Sequence, residues 1–346
     1  MSAEQLGINP FSPPTVDRLS IRVVVDSRYE RFMPKAEHDF VQIEHVRGIR
    51  GREMTTLAGE WGLSLHLESE RAGSTAQYLL DFGYTPDILN RNFDLLGIVP
   101  GQINGLILSH GHRDHFGGLD GFVDQHRTAM RDDVALYVGG ETVFREKWIK
   151  QGGAVPPNAA SSDDEMVSWG ILDRASLAAR HVKSVCCDIP HALSGPFTTG
   201  YIERDSFEDV SGGSKVLDDD DHFTEAERRG ELVLDEHPDE HGTCYIVQGR
   251  GLVVISSCGH TGIVNTVRTA MAVANTSKLH AVIGGFHLGL APIDYIDHTV
   301  DALAELDPDI IIPMHCTGPN FIRAMSERMP GRVLESNLGS RFTLGV

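Results

Sequence analysis

The stretch Leu106–Gly118, which reads LILSHGHRDHFGG, constrains the fold more than any other part of this chain. An apolar run with the character of a buried strand ends there at three histidines and one aspartate, and two glycines follow. Imidazole and carboxylate groups bind borderline divalent ions such as zinc, and a loop leaving a rigid strand can direct several of them at one point. The stretch therefore predicts a metal site at the end of a buried strand.

The spacing of these groups indicates how they share an ion. His110 and His112 are two residues apart, so they point to the same side of an extended segment. Asp114 and His115 follow where the chain turns away, which gives four potential ligands within six residues and suggests two adjacent ions. The alternative is a polar surface turn that contains three of the chain's 17 histidines. The strand before it and the glycines after it favour the metal site.

Three strands predicted in the second half of the chain each run into a further potential ligand. They lead to Cys258 with His260, to His287 and to His315. Because the loops at one edge of the sheet build the site in layered α/β folds, we expect these side chains to converge. For Cys258 the alternative is a small buried thiol in the core.

Composition restricts the function classes that are open to this chain. With 346 residues, of which 41% are hydrophobic, it can bury one large core and an elaboration, as a globular enzyme does. The formal net charge is −19, and nucleic-acid binding needs a basic patch, so no nucleic-acid partner is expected. Residues 161–240 carry 20 acidic and 7 basic side chains, most of which fit a solvated acidic surface. A small neutral or cationic organic substrate is therefore favoured, and aromatic compounds are included in this class.

The N-terminal residues and the cysteines favour a cytoplasmic location. Residues 1–7 lack the basic and apolar regions of a signal peptide, and no run of about 18 apolar residues suggests a membrane span. Five cysteines, of which only Cys186 and Cys187 are close in sequence, do not indicate a disulfide framework. We expect a protein with no membrane partner that assembles as a homodimer.

The pattern along the chain predicts an arm, one domain and an insertion. Residues 1–20, with three prolines, are expected to form an N-terminal arm or a disordered tail, and residues 21–346 form the domain. The segment 141–232 is rich in glycine, proline, serine and acidic residues, and we expect it to be an insertion that covers the metal site. Strands and helices alternate over the last hundred residues, which fits one αβ half of a layered α/β fold.

The His-x-His-x-Asp-His loop resembles the hallmark of the metallo-β-lactamase superfamily. This resemblance implies an α/β fold, a four-layer αβ/βα sandwich, with a one- or two-metal site at the edge between its two sheets. The motifs Ser109–Gly118, Ser257–Asn265, Gly284–Leu288 and Pro313–Gly318 resemble more narrowly the group of dihydropterin-ribofuranosylaminobenzene phosphate synthase and related metal-dependent hydrolases. The matches run from about residue 60 to the end of the chain, and the acidic segment interrupts them. They are specific for the fold and the metal site, but only weakly specific for the substrate.

The resemblance assigns a role to each candidate ligand. The implied metal ligands are His110, His112, Asp114, His115, His241, Cys258 and His315. His241 is preferred as the third-motif histidine because it lies on the loop before a predicted hairpin, with His237 and His191 as competitors. Cys258 occupies the place of a bridging carboxylate, which leaves open whether one or two ions bind. A thiolate favours Zn²⁺, with manganese and iron as alternatives.

One further carboxylate is implied to support these ligands. Asp81, at the end of a predicted strand and before a glycine turn, resembles the aspartate that holds the metal loop by hydrogen bonds in the superfamily. The alternative is an ordinary turn aspartate.

Three residues are candidates for catalysis. Asp114 is expected to orient the nucleophile as well as bind metal. His287 resembles a histidine that protonates a leaving oxygen in phosphodiesterases of the superfamily. His260 could support a ligand, be an extra ligand or contact the substrate.

These roles imply a hydrolase in which zinc-activated water attacks an ester, a lactone, a phosphodiester or an activated aromatic carbon. The alternatives are an iron-dependent oxygenase or redox enzyme on the same fold, and a transferase-like pterin-pathway synthase. A non-catalytic binder is disfavoured, because buried ligand groups that repel one another are costly without their ion.

Overall fold

Two large β-sheets pack face to face and carry α-helices on their outer surfaces. The fold is that of a computed structural model, which describes residues 11–150, 166–210, 213–219 and 223–345. The strands in these ranges are β1 (Thr15–Val16), β2 (Arg18–Val25), β3 (Val41–Glu44), β4 (Ser64–Arg71), β5 (Ser74–Leu80), β6 (Ile103–Leu108), β7 (Ala135–Val138), β8 (Lys147–Lys150), β9 (Met166–Gly170), β10 (Lys183–Cys186), β11 (His191–Ala192), β12 (Phe197–Thr198), β13 (Ser214–Leu217), β14 (Leu232–Leu234), β15 (Thr243–Val247), β16 (Gly251–Ser256), β17 (Leu279–Gly284), β18 (Ile310–Pro313) and β19 (Arg341–Leu344).

The α-helices in the same ranges are α1 (Pro86–Leu95), α2 (Arg113–Phe116), α3 (Leu119–His126), α4 (Arg174–Ala179), α5 (Ile263–Val273), α6 (Ile293–Glu305) and α7 (Pro319–Arg328). None of these described helices is long and apolar enough to cross a lipid bilayer.

The strands form two main sheets. The N-terminal sheet has the order β10-β7-β6-β5-β4-β2-β19-β3, and the C-terminal sheet has the order β11-β12-β15-β16-β17-β18, with β1 paired to β15. β16, β17 and β18 are parallel, and so are β5, β6, β7 and β10. Parallel neighbours need a crossover connection, which α5 supplies between β16 and β17 and α6 supplies between β17 and β18.

Alternating apolar side chains bury both faces of each main sheet. In β16, Val253 and Ile255 belong to the core between the two sheets, whereas Leu252 and Val254 pack in the core beneath α5, α6 and α7. Successive side chains of a strand point to opposite faces, so one strand serves two cores. β6 divides its side chains in the same way between the inter-sheet core and the core beneath α1 and α3. The four layers of the αβ/βα sandwich predicted from the sequence are therefore present.

Two predicted segment boundaries differ from the structure. β1 and the start of β2 lie within the predicted arm 1–20, because residues 15–20 pair with strands of both sheets. The predicted insertion 141–232 is divided: β8, β9, β13 and β14 form a separate four-stranded sheet, which we call the insertion sheet, whereas β10, β11 and β12 extend the main sheets. Residues 1–10, 151–165, 211–212 and 220–222 of these segments lie outside the described residues.

Candidate metal centre

Asp81, directly after β5, holds the loop that follows β6. Its Oδ1 accepts a hydrogen bond from the Ser109 backbone N–H at 2.8 Å, and its Oδ2 accepts from Ser109 Oγ at 2.9 Å and from His115 Nδ1 at 2.7 Å. Gly118 allows the end of this loop to approach β5, since a Cβ there would lie 2.2 Å from the Phe82 carbonyl oxygen. The supporting role implied for Asp81 is thus visible in its contacts.

The same hydrogen bonds orient two imidazoles of the loop. Because the Ser109 hydroxyl donates to Asp81, it accepts from His110 Nδ1–H, which lies 2.9 Å away. His115 donates Nδ1–H to Asp81, so in both rings Nε2 is the nitrogen left to face a ligand. These two Nε2 atoms are buried, and neither has a hydrogen-bond partner among the described residues. Buried polar atoms are normally paired, so this arrangement fits two imidazoles prepared to bind a metal ion.

His110, His112 and His260 form a first cluster, which we call cluster A. Their ring centroids are 4.5 to 4.8 Å apart, and one nitrogen of each lies within 4.8 Å of the others. His112 turns Nε2 towards Ser214 Oγ at 3.1 Å, which leaves Nδ1 for a ligand. Burial, together with neighbouring imidazoles, holds the pKa of all three well below the usual value. They are therefore neutral at pH 7, the form that binds metal.

Asp114, His115 and His315 form a second cluster, cluster B. Asp114 Oδ2 lies 3.5 Å from His315 Nε2 and 3.7 Å from His115 Nε2, and Asp114 Oδ1 has no hydrogen-bond partner among the described residues. Burial raises the pKa of Asp114, but the facing His115 and His315 lower it more, so the carboxyl is ionised. Burial lowers the pKa of His315, whereas Cys316 and Asp114 raise it to about 9.

Cys258 lies between the two clusters. Its sulfur is within 4.8 Å of ring nitrogens of His110 and His115, one from each cluster, and it also groups with His260. His287 Nδ1 is 3.4 Å from the same sulfur, and the His287 ring lies 4.3 Å from that of His260. This is the position that a bridging group between two ions would take. Imidazole, carboxylate and thiolate ligands together fit a borderline divalent ion.

The structure places His241, the preferred third-motif ligand, beside the end of β6. His241 donates Nε2–H to the Leu108 carbonyl at 2.9 Å, and its buried Nδ1 has no hydrogen-bond partner among the described residues. His237 instead stacks on His260 at 4.2 Å and groups with His112 and Asp235. His191 lies in β11. The place beside His110 and His112 that the third-motif histidine would fill is taken by His260.

Glu240 supports the loop that carries Cys258 and His260, and it was not predicted. Its carboxylate accepts the backbone N–H of His260 at 2.9 Å, and the backbone N–H and Oγ1 of Thr261, each at 2.7 Å. The signal available in the sequence was the position of Glu240, directly before the candidate ligand His241 and the start of the predicted hairpin. A carboxylate that fixes two successive backbone groups holds the ligand loop in one conformation.

A buried ion-pair network joins the insertion sheet to the metal loop. Lys147 Nζ lies 2.8 Å from Asp235 Oδ2 and 3.1 Å from Asp239 Oδ1, and Asp239 Oδ2 accepts the Gly111 backbone N–H at 2.7 Å. Ser214, the first residue of β13, contacts His112 from the same side. The insertion sheet therefore contacts both the backbone and a side chain of the predicted ligand loop.

A cavity of about 430 Å³ opens above both clusters. Its floor is formed by cluster residues and Cys258, and its walls include Trp61, Tyr84, Ile149 and Trp169. Trp61 lies 4.9 Å from the His315 ring, and Trp169 lies 4.9 Å from the His112 ring. Among the described residues no lysine or arginine lines the cavity. Its walls are thus aromatic and apolar, whereas its floor carries the ligand groups.

Comparisons with known proteins agree with this architecture. No family model matches the chain. The 7,8-dihydropterin-6-methyl-4-(β-D-ribofuranosyl)-aminobenzene-5′-phosphate synthase of Methanocaldococcus jannaschii is 31% identical over 268 residues, which cover 74% of this chain and 81% of the synthase. The uncharacterised protein MJ0448 of the same organism is 26% identical over 263 residues, which cover 72% of this chain and 82% of that protein.

Among solved structures, Tm1679, a metal-dependent hydrolase of the β-lactamase superfamily, shares the fold. It is similar with a TM-score of 0.65 and 21% sequence identity, over 93% of this chain and 98% of that chain. The fold and the identity to the synthase agree with the motifs around Asp114. The chain belongs to the metallo-β-lactamase superfamily and, within it, to the family of the M. jannaschii synthase.

Proposed function

We propose that this protein is a hydrolase that holds one or two zinc ions in clusters A and B and acts on a small organic substrate. The observation that carries the proposal is that the two clusters meet at Cys258, and that His110 Nε2, His115 Nε2 and Asp114 Oδ1 are buried there without hydrogen-bond partners among the described residues. A bound zinc ion would lower the pKa of a coordinated water to about 7 and so make a nucleophile available at neutral pH.

The protein's own side chains would position the reacting groups. Asp114 Oδ1 can accept a hydrogen bond from an attacking water, because Oδ2 is directed at His115 and His315. His287 lines the same cavity with Nδ1 towards Cys258, so its Nε2 can donate a proton to a departing atom. These are the roles that the superfamily resemblance implied for the two residues.

The walls of the cavity support a planar, uncharged or cationic substrate. Trp61 and Trp169 offer aromatic surface on two sides of the clusters, and aromatic rings contribute about 0.5–1.5 kcal/mol through stacking. The cavity walls present no cationic side chain among the described residues, and the chain carries a net charge of −19. Aryl esters and lactones are therefore the substrate classes to examine first, with the anionic aryl phosphodiesters as the third class for contrast.

The test combines metal analysis with a substrate panel. Protein prepared without added metal is analysed for bound zinc, manganese and iron, and its hydrolysis of the three substrate classes is measured. We expect zinc to be bound and Asp114→Asn to lower kcat/KM by about 100-fold or more, with Asp297→Asn, an exposed change on α6, as the matched control. Iron as the bound metal with oxygen consumption would instead support the redox alternative. Unchanged turnover in Asp114→Asn would contradict the proposal.

A synthase activity is the second candidate, and the 31% identity to the M. jannaschii enzyme favours it. The aromatic walls would also accept a pterin ring. A phosphate on the second substrate, however, would meet no lysine or arginine of the described cavity lining. Incubation with a dihydropterin and a ribofuranosylaminobenzene phosphate, followed by mass spectrometry, separates the two activities. A condensed product would favour the synthase.

A further inference from the structure

Cys316 directly follows the cluster B ligand candidate His315, and its sulfur faces the metal centre. Its Sγ is 3.3 Å from Cys258 Sγ, and both sulfurs line the cavity. The other three cysteines lie elsewhere: Cys244 is in β15, Cys186 contacts Glu141, and Cys187 contacts the Val185 carbonyl. The fold therefore brings two thiols together at one place, beside the predicted ligands.

The distances around Cys316 fit the edges of a metal tetrahedron. The ligand atoms of Cys258, His315 and Cys316 lie within 4.8 Å of one another, and Asp114 Oδ2 is 3.5 Å from His315 Nε2. With Zn–S bonds of about 2.3 Å and Zn–N or Zn–O bonds of about 2.0–2.1 Å, tetrahedral angles place two sulfurs about 3.8 Å apart and N and O about 3.4 Å apart. The observed nitrogen–oxygen separation of 3.5 Å agrees with the latter value, and the two sulfurs, 3.3 Å apart, would separate by about 0.5 Å to bind one ion.

The surroundings of the Cys316 sulfur also suit a thiolate. The backbone N–H of His287 donates a hydrogen bond to it at 3.3 Å. Gly285 lies against it, since a Cβ at this glycine would be 2.8 Å from Cys316 Sγ and 3.2 Å from His315 Cδ2. A Cβ at this position would first meet the Ser257 carbonyl oxygen at 2.3 Å, and it would also crowd the sulfur and the imidazole. The glycine that follows β17 therefore leaves room for the Cys316 sulfur and the His315 ring.

We propose that Cys316 is a second thiolate ligand, so that an ion in cluster B is held by Cys258 and Cys316 together with Asp114 and His315. The inference rests on the proposed metal centre and adds a ligand to it. Each thiol gives up its proton to solvent when its sulfur binds the ion. Two thiolates favour zinc, cadmium or cobalt over magnesium and manganese at this position.

The test is ¹¹³Cd NMR of the whole protein loaded with cadmium, because the chemical shift of the metal reports its number of sulfur ligands and each ion gives its own signal. We expect one signal at the position of a two-sulfur site. It should move towards the position of a one-sulfur site in Cys316→Ser and stay unchanged in the control Cys186→Ser.

Two results would overturn the inference and leave the proposed metal centre intact. One is a wild-type spectrum in which every bound ion shows at most one sulfur, a result that needs no variant to fold. The other is a Cys316→Ser protein whose cadmium signals match those of the wild type. A protein that binds no cadmium or zinc at all would contradict the metal centre itself, and this inference with it.

Discussion

Four of the eight described non-glycine residues with positive φ lie at the candidate site, and the other four lie elsewhere. Asp81, His237, His287 and His315 all have φ between 50° and 59°, the left-handed region that non-glycine residues rarely adopt. Such a conformation costs about 1–3 kcal/mol and persists where the surrounding structure imposes it. Three of these four residues end or follow strands of the main sheets. At these three positions the strained backbone directs a side chain towards the metal centre from the end of a strand. This is consistent with a functional site at this edge of the sheets.

Asp81→Asn tests the support of the metal loop. Asparagine tolerates the left-handed φ and keeps the size of the side chain, but its NH₂ group would face donors from Ser109 or His115. We expect zinc affinity to fall about 10- to 100-fold, the usual effect of losing a carboxylate behind a ligand imidazole. Competition with a chromophoric chelator measures it. Asp297→Asn is the control, and an unchanged affinity in Asp81→Asn would refute the supporting role.

The roles of residues could be predicted where a motif fixed both the residue types and their position relative to a strand. The strand before Ser109 and the glycines after it pointed to the ligand loop, and the turn at Asp81 pointed to its support. The choice among His241, His237 and His191 could not be settled from spacing, because sequence gives the order of residues but not the direction of a ring. His241 turns towards the Leu108 carbonyl, whereas His260, two residues past Cys258, reaches His110 and His112.

Elements with strong periodicity were predicted closely, and elements of the insertion sheet were not. The alternation expected over the last hundred residues is present as β16, α5, β17, α6, β18, α7 and β19, and the predicted hairpin is that of β15 and β16. β8 and β14 have four and three residues of mostly intermediate burial, so they show no alternation that a pattern could detect. Their place is set by tertiary contacts such as the Lys147 ion pairs.

Lys147→Met tests whether these ion pairs anchor the insertion sheet. Lys147 is 1% exposed, and its removal would leave Asp235 and Asp239 buried without their cation. Breaking one partner of a buried ion pair costs about 3–5 kcal/mol, so we expect a loss of that order in the free energy of unfolding. Urea unfolding measures it, with the exposed Lys183→Met on β10 as control. Equal stability of the two variants would show that the network is not an anchor.

At the scale of the whole molecule, the candidate ligands come from both halves of the sandwich. His110 to His115 follow a strand of the N-terminal sheet, whereas Cys258, His260 and His315 follow strands of the C-terminal sheet. An ion bound to both sets would join the two sheets at one edge. Homodimer formation stays a prediction, because it depends on contacts between two chains. Light scattering in solution would measure it.

Metal removal should therefore destabilise the entire fold. An ion that binds the native state alone stabilises it by about 4 kcal/mol at a free concentration 1,000 times its Kd, and unfolding separates its ligands. We expect chelation to lower the Tm by several degrees and added zinc to restore it. Magnesium should not restore it, because it binds thiolate and imidazole poorly. Differential scanning calorimetry measures these shifts. The same Tm before and after complete chelation would mean that no ion links the two sheets.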